Sequence, residues 1–131
     1  MQNETVLVVD DEVHLRRIAE LSLASIGGMR VLCAGSGAEA LALMAGTVPD
    51  VIVLDVMMPS MDGPTLLQHL RAMPALTETP VIFMTAKAEP AEGVRLRSLG
   101  AVGVITKPFE PMTFAHEVRS LVRAARTPGA P

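Results

Sequence analysis

Short apolar runs punctuate the chain, and between them apolar residues fall at helical spacing. Five runs read as strands: 4–9 (ETVLVV), 30–34 (RVLCA), 50–54 (DVIVL), 80–84 (PVIFM) and 101–105 (AVGVI). They are near-continuous in Val, Ile and Leu rather than alternating, the pattern of strands covered on both faces, as in a parallel sheet. The first gap carries Leu15, Ile18, Ala19, Leu23 and Ile26 at i, i+3, i+4, i+8 and i+11, one apolar stripe of a helix. The second opens with Ser36-Gly37-Ala38-Glu39, a capping box. The third opens after Asp62-Gly63 with Pro64 in its first turn and is expected to bury Leu66, Leu67 and Leu70. A fourth helix near 90–99 is weakly patterned: it holds Gly93, and Val94, Leu96 and Leu99 share no tight face. The last carries Phe114, Val118, Leu121, Val122 and Ala125 on one side, with Arg119, Arg123 and Arg126 opposite as a solvated face.

Five βα units of this kind predict an open, doubly wound α/β sheet with helices on both faces and strand order 2-1-3-4-5. At 131 residues the chain is most simply one domain, expected over 1–126, with Thr-Pro-Gly-Ala-Pro at 127–131 a flexible tail. Half the residues are hydrophobic and 19% charged, which argues against a disordered chain. A net charge of −3 argues against broad, direct binding to nucleic acid or anionic membrane. The single cysteine, Cys33, excludes an internal disulfide framework, fits a reducing cytosol and reads as a small buried hydrophobe. No segment approaches the roughly 18–20 apolar residues of a membrane span, and no secretory signal is visible.

In such sheets ligands bind outside the carboxyl ends of the strands, where the strand order reverses, here between strands 1 and 3. Strand 1 ends in Asp10-Asp11, strand 3 in Asp55 and strand 4 in Thr85, and strand 5 is followed by Lys107-Pro108. Three carboxylates, a hydroxyl and an ammonium are therefore expected on one rim, although sequence scatters them widely. Adjacent acids repel unless a cation joins them. Hard oxygen ligands with room left for water suit Mg²⁺, so the acidic pair reads as half of a magnesium site.

The pieces VLVVDDE, VIVLDVMMPSMDG, VIFMTA and GVITKPF stand in the order and spacing of a two-component response regulator receiver domain, which the chain resembles over about residues 4–125. The resemblance implies a flavodoxin-like sheet and a signalling switch rather than an enzyme. It makes Asp55 the phosphoacceptor. It assigns Asp11 to Mg²⁺ directly, Asp10 through water, and the backbone carbonyl of Met57 to the rest of the coordination. Thr85 and Lys107 would contact the phosphoryl oxygens, and Pro108 would follow a cis peptide bond. The implied phosphodonor is a histidine of a sensor kinase or phosphotransfer protein. The implied output is altered binding of a downstream protein at the face of helix 4, strand 5 and helix 5, in the cytoplasm. The chemistry agrees: a carboxylate is a competent nucleophile towards phosphorus, and the transferring group needs cations and in-line geometry more than a strong base. His14, His69 and His116 read as helix-surface residues, and Met57, Met58 and Met61 as packing under the loop. No DNA-binding or catalytic output domain is expected in the residues that remain.

Two other readings compete. GSGAEA at 35–40 fits G-x-G-x-x-A, and Asp55 lies 20 residues beyond Gly35, a dinucleotide fingerprint on paper. It follows the second strand rather than the first, and it leaves Asp10, Asp11, Thr85 and Lys107 unexplained. The other reading is a pseudo-receiver that binds partners without taking phosphate. Every acceptor-site residue is present, against it; but receivers commonly carry Tyr or Phe three residues before the lysine, and here that position is Val104.

Overall fold

The computed structural model describes residues 4–126. Strands and helices alternate along the chain: β1 (Thr5–Val9), α1 (Val13–Leu21), β2 (Arg30–Ala34), α2 (Gly37–Met44), β3 (Val51–Asp55), α3 (Gly63–Arg71), β4 (Val81–Thr85), α4 (Pro90–Ser98), β5 (Gly103–Thr106) and α5 (Phe114–Ala125). All strand pairs are parallel, in the order β2-β1-β3-β4-β5 that the sequence predicts.

Successive side chains of a strand point to opposite faces, and both faces are filled. Leu7, Val9, Ile52, Leu54, Val81 and Phe83 pack on one side with α2, α3 and Leu96 of α4. Val6, Val8, Val53, Ile82, Met84 and Ile105 pack on the other with Ala19, Leu23, Phe114 and Val118 of α1 and α5. Two cores back to back explain why the strands read as unbroken apolar runs. β2 lies at the sheet edge, so Cys33 is only half-buried, less than its sequence reading. Burial still pushes its thiol up to about 11, so it is a poor nucleophile at neutral pH.

Several boundaries differ from expectation. The α1 helix continues as a π-helical turn over Ser22–Ile26, with an i→i+5 bond from the Gly27 N–H to the Ser22 carbonyl. The added residue rotates the face, so Leu23 is fully buried while Ile26 is 49% exposed; Ile18, off the Ala19–Leu23 line, is 40% exposed. Ser22 turns inward instead, and its hydroxyl donates to the Pro111 carbonyl. β5 begins at Gly103 rather than 101, after a turn in which Gly100 adopts φ +112°. In α5, Arg119 is only part-exposed and is paired: its guanidinium forks onto Glu4 at 2.6–3.2 Å and also reaches the Gly27 carbonyl. The expected tail at 127–131 lies outside the described residues. Among the described residues, no helix is long and apolar enough to cross a membrane.

Candidate functional site

The parallel sheet brings the ends of β1, β3, β4 and β5 to one rim, and the expected residues meet there. Asp10 follows β1, is fully buried, and accepts the Glu12 N–H at 2.9 Å. Arg16 donates to the Asp10 backbone carbonyl at 2.7 Å, which fixes the β1–α1 turn; the sequence reading had not singled this residue out. Asp11 beside it is exposed. Asp55 is the last residue of β3 and is buried. Oxygen atoms of Asp10, Asp11 and Asp55 all lie within 4.8 Å of one another. Lys107 reaches between two of them, 3.0 Å from Asp55 and 3.4 Å from Asp10. Its backbone N–H bonds the Thr85 carbonyl at 2.7 Å, and the Lys107–Pro108 bond is cis.

The charges shape one another. Burial, together with the negative charges of Asp10 and Asp11, raises the Asp55 carboxyl above the usual aspartate value against the pull of Lys107. Burial works against the Lys107 ammonium, but its hydrogen bond to Asp55 and the charges of Asp10 and Asp55 outweigh it and hold its pKa above the ordinary lysine value. The result is a crowded acidic pocket with one built-in cation, three carboxylates against one ammonium.

The loop after β3 is held close. Gly63 opens α3 so near β3 that a Cβ there would lie 2.5 Å from the Asp55 carbonyl oxygen and 2.9 Å from the Phe83 ring. Asp62 caps the helix by accepting the Thr65 N–H at 2.9 Å. Met58 is buried and Met61 packs against the core, but the Met57 side chain is 72% exposed, contrary to expectation. Beyond the strand the chain keeps alternating, Val56 in, Met57 out, Met58 in.

Thr85, at the end of β4, is buried but does not stand free. Its hydroxyl donates to Glu92 of α4 at 3.2 Å and accepts the Lys87 N–H at 3.1 Å. Glu92 is itself buried and is also bonded to Arg95. The sequence reading missed Glu92. The available signal was its place four residues before Leu96, on the inner line of a helix that lacked an apolar face.

The competing fingerprint at 35–40 is closed by the chain itself. Ser36 accepts the Glu39 N–H, while the Glu39 carboxylate accepts the Gly35 N–H, one residue earlier than an ordinary capping box. A carboxylate thus stands where a pyrophosphate would need the turn's donors. His14, His69 and His116 are exposed, as expected.

The family model of the response regulator receiver domain matches residues 6–119. The chain belongs to the response regulator receiver family. It is 38% identical over 128 residues to the probable transcriptional regulator ycf27 of Cyanophora paradoxa, covering 98% of this chain and 52% of that protein. It is 36% identical over 121 residues to the alkaline phosphatase synthesis transcriptional regulatory protein PhoP of Bacillus subtilis, covering 92% and 49%. Among solved structures, the chemotaxis response regulator CheY4 of Vibrio cholerae matches with a TM-score of 0.85 at 31% identity, covering 92% of this chain and 99% of that one. This receiver spans about half the length of the two curated relatives.

Proposed function

We propose that this receiver accepts a phosphoryl group on Asp55 from a phosphohistidine of a sensor kinase or phosphotransfer protein, and signals through the change that follows. The observation that carries the reading is the Lys107 ammonium held between Asp55 and Asp10 at a buried strand end. An Asp55 carboxylate oxygen attacks phosphorus in line. The P–N bond to the donor imidazole breaks, its electron pair leaves with the ring, and an acyl phosphate forms. Lys107 meets negative charge that builds on the equatorial oxygens, and the Thr85 hydroxyl offers them a donor.

The acidic set fits Mg²⁺: three hard carboxylates close together, one of them open to water. Asp10, Asp11, Asp55 and the Met57 carbonyl would hold the ion, which supplies charge neutralisation for the transferring group. Asp11→Ala should weaken Mg²⁺ binding by calorimetry more than Asp10→Ala does, the difference between direct and water-mediated contact.

We take 1–126 as the receiver unit, working in the cytoplasm with its kinase or phosphotransfer partner. The output face we assign to α4, β5 and α5, where Val94 on α4 and Leu99 at its C-terminal end are exposed apolar residues. Reductive trapping after acetyl phosphate treatment, followed by peptide mapping, tests the assignment. A single modified residue at Asp55 is expected; modification at another carboxylate would overturn it.

A further inference from the structure

The Thr85 hydroxyl has one proton, and it is committed. It points to Glu92 Oε2 at 3.2 Å, while the hydroxyl oxygen takes the Lys87 N–H at 3.1 Å. Glu92 sits on the inner line of α4 with Leu96, and each is almost or entirely shielded from water. A carboxylate in that place is costly unless its oxygens are bonded. Arg95 supplies one partner, 3.2 Å from Oε1 and 3.4 Å from Oε2, and Thr85 supplies the other. Among the described residues no buried side-chain oxygen or nitrogen is left without a hydrogen bond.

The rest of α4 gives little to hold it. Its N-cap residue, Glu89, makes no side-chain capping bond, Gly93 lies inside it, and Leu96 is its one fully buried apolar side chain. The inward pull on this helix therefore rests to an unusual degree on the Thr85–Glu92–Arg95 chain. On the neighbouring strand β5, Val104 is partly buried and packs against the core. It is short and β-branched, with a restricted χ1 and little reach.

We infer that Glu92 is a positioning residue that acts through Thr85: it holds the hydroxyl proton on the α4 side while Asp55 is unmodified, and surrenders it to a phosphoryl oxygen on Asp55. The inference rests on the reading of Asp55 as phosphoacceptor. Once Thr85 turns away, Glu92 is a shielded carboxylate short of one donor. The α4 helix then opens towards water to hydrate it, and a partner that prefers the opened helix gains affinity. Coupling of this kind is reciprocal. Whatever removes the grip of Glu92 on Thr85 must make the phosphoryl-bound state easier to reach.

Beryllofluoride, a phosphoryl mimic, titrated with Mg²⁺ into the full chain by calorimetry, supplies the test. Glu92→Leu keeps the volume but removes the acceptor, and should tighten beryllofluoride binding roughly tenfold, the worth of a hydrogen bond to a charged group. Glu92→Gln retains an acceptor oxygen for Thr85 and should stay near wild type. The tightening should vanish when Glu92→Leu is placed on Thr85→Ala, because the two residues act as one unit. A packing role for Glu92 would give the same change with or without Thr85. Amide exchange on the wild type covers a Glu92→Leu variant that does not fold: beryllofluoride should reduce protection over 90–98, and unchanged protection there would overturn the inference. Wild type that fails to bind beryllofluoride would remove the Asp55 reading and this inference with it. Wild type that binds, with Glu92→Leu unaltered or its effect persisting in Thr85→Ala, would remove the inference alone.

Discussion

At the rim of the sheet, the contacts around Asp55 and those around Thr85 are built differently. Asp10 and Asp55 are buried, tied to one ammonium, and backed by strands whose residues are shielded on both faces. Thr85 is tied to a helix with a buried carboxylate where an apolar residue would ordinarily sit, and with Val94 and Leu99 facing water. The first set is fixed before any ligand arrives, which suits a site that must hold reacting groups in line. The second is held by a few exchangeable hydrogen bonds, which suits an element that changes state. Thr85 touches both sets: its carbonyl takes the Lys107 N–H, and its hydroxyl donates to Glu92.

The contrast breaks most completely at Asp55. Asp55→Asn keeps the shape and removes the nucleophile, so phosphoryl labelling should fall to none while the thermal transition survives. Lys107→Ala comes next. Removing the one built-in cation should slow labelling by about a hundredfold, the usual cost of losing a donor to developing negative charge, without unfolding the domain, since the ammonium lies at the rim.

Two glycines sharpen the comparison. At Gly63 a Cβ meets the Asp55 carbonyl oxygen and the Phe83 ring, neither of which can move cheaply. Gly63→Ala should destabilise the domain by about 1–3 kcal/mol in urea unfolding. At Gly93 a Cβ meets only the far end of the Arg97 side chain, 3.3 Å away. Gly93→Ala should therefore stabilise by about 0.5–1 kcal/mol, the helix preference for alanine. Equal effects at the two positions would contradict the claim that the rim is rigid and α4 is loosely held.

The smallest effect lies away from both. The hydrogen bond from Arg119 holds the Glu4 carboxyl below its usual pKa, so the folded state favours the ionised form. That contribution is present above the ordinary carboxyl pKa and is lost as pH falls through the depressed value. Both side chains are about a third exposed, at 30% and 31%, and screening keeps the pair near or below about 1 kcal/mol. Wild type should exceed Glu4→Gln in stability at neutral pH, and the gap should close in acid.

Much of this was legible in the sequence because burial on both faces leaves a local trace. The runs VLVV and VIVL needed no partner to be read as central strands, and the strand order placed Asp10, Asp11, Asp55, Thr85 and Lys107 on one rim. What was not legible involved long side chains meeting across the fold or the backbone changing its own period. Arg119 and Glu4 are 115 positions apart, and nothing near either announces the other. The π turn after α1 changes which residues face the core without altering composition, so Ile26 looked buried. The weak pattern of α4 was read correctly as weak, but its cause, a carboxylate on the inner line, appears only once Thr85 is seen to reach it.

The central claim is that Asp55 takes the phosphoryl group with the help of a divalent cation. Intact mass of the wild type and of Asp55→Asn, after acetyl phosphate with Mg²⁺ or with excess chelator, tests it most directly. The account predicts one added phosphoryl group on the wild type with Mg²⁺, and none in the other three samples. Equal labelling of the wild type in chelator, or full labelling of Asp55→Asn, would contradict it.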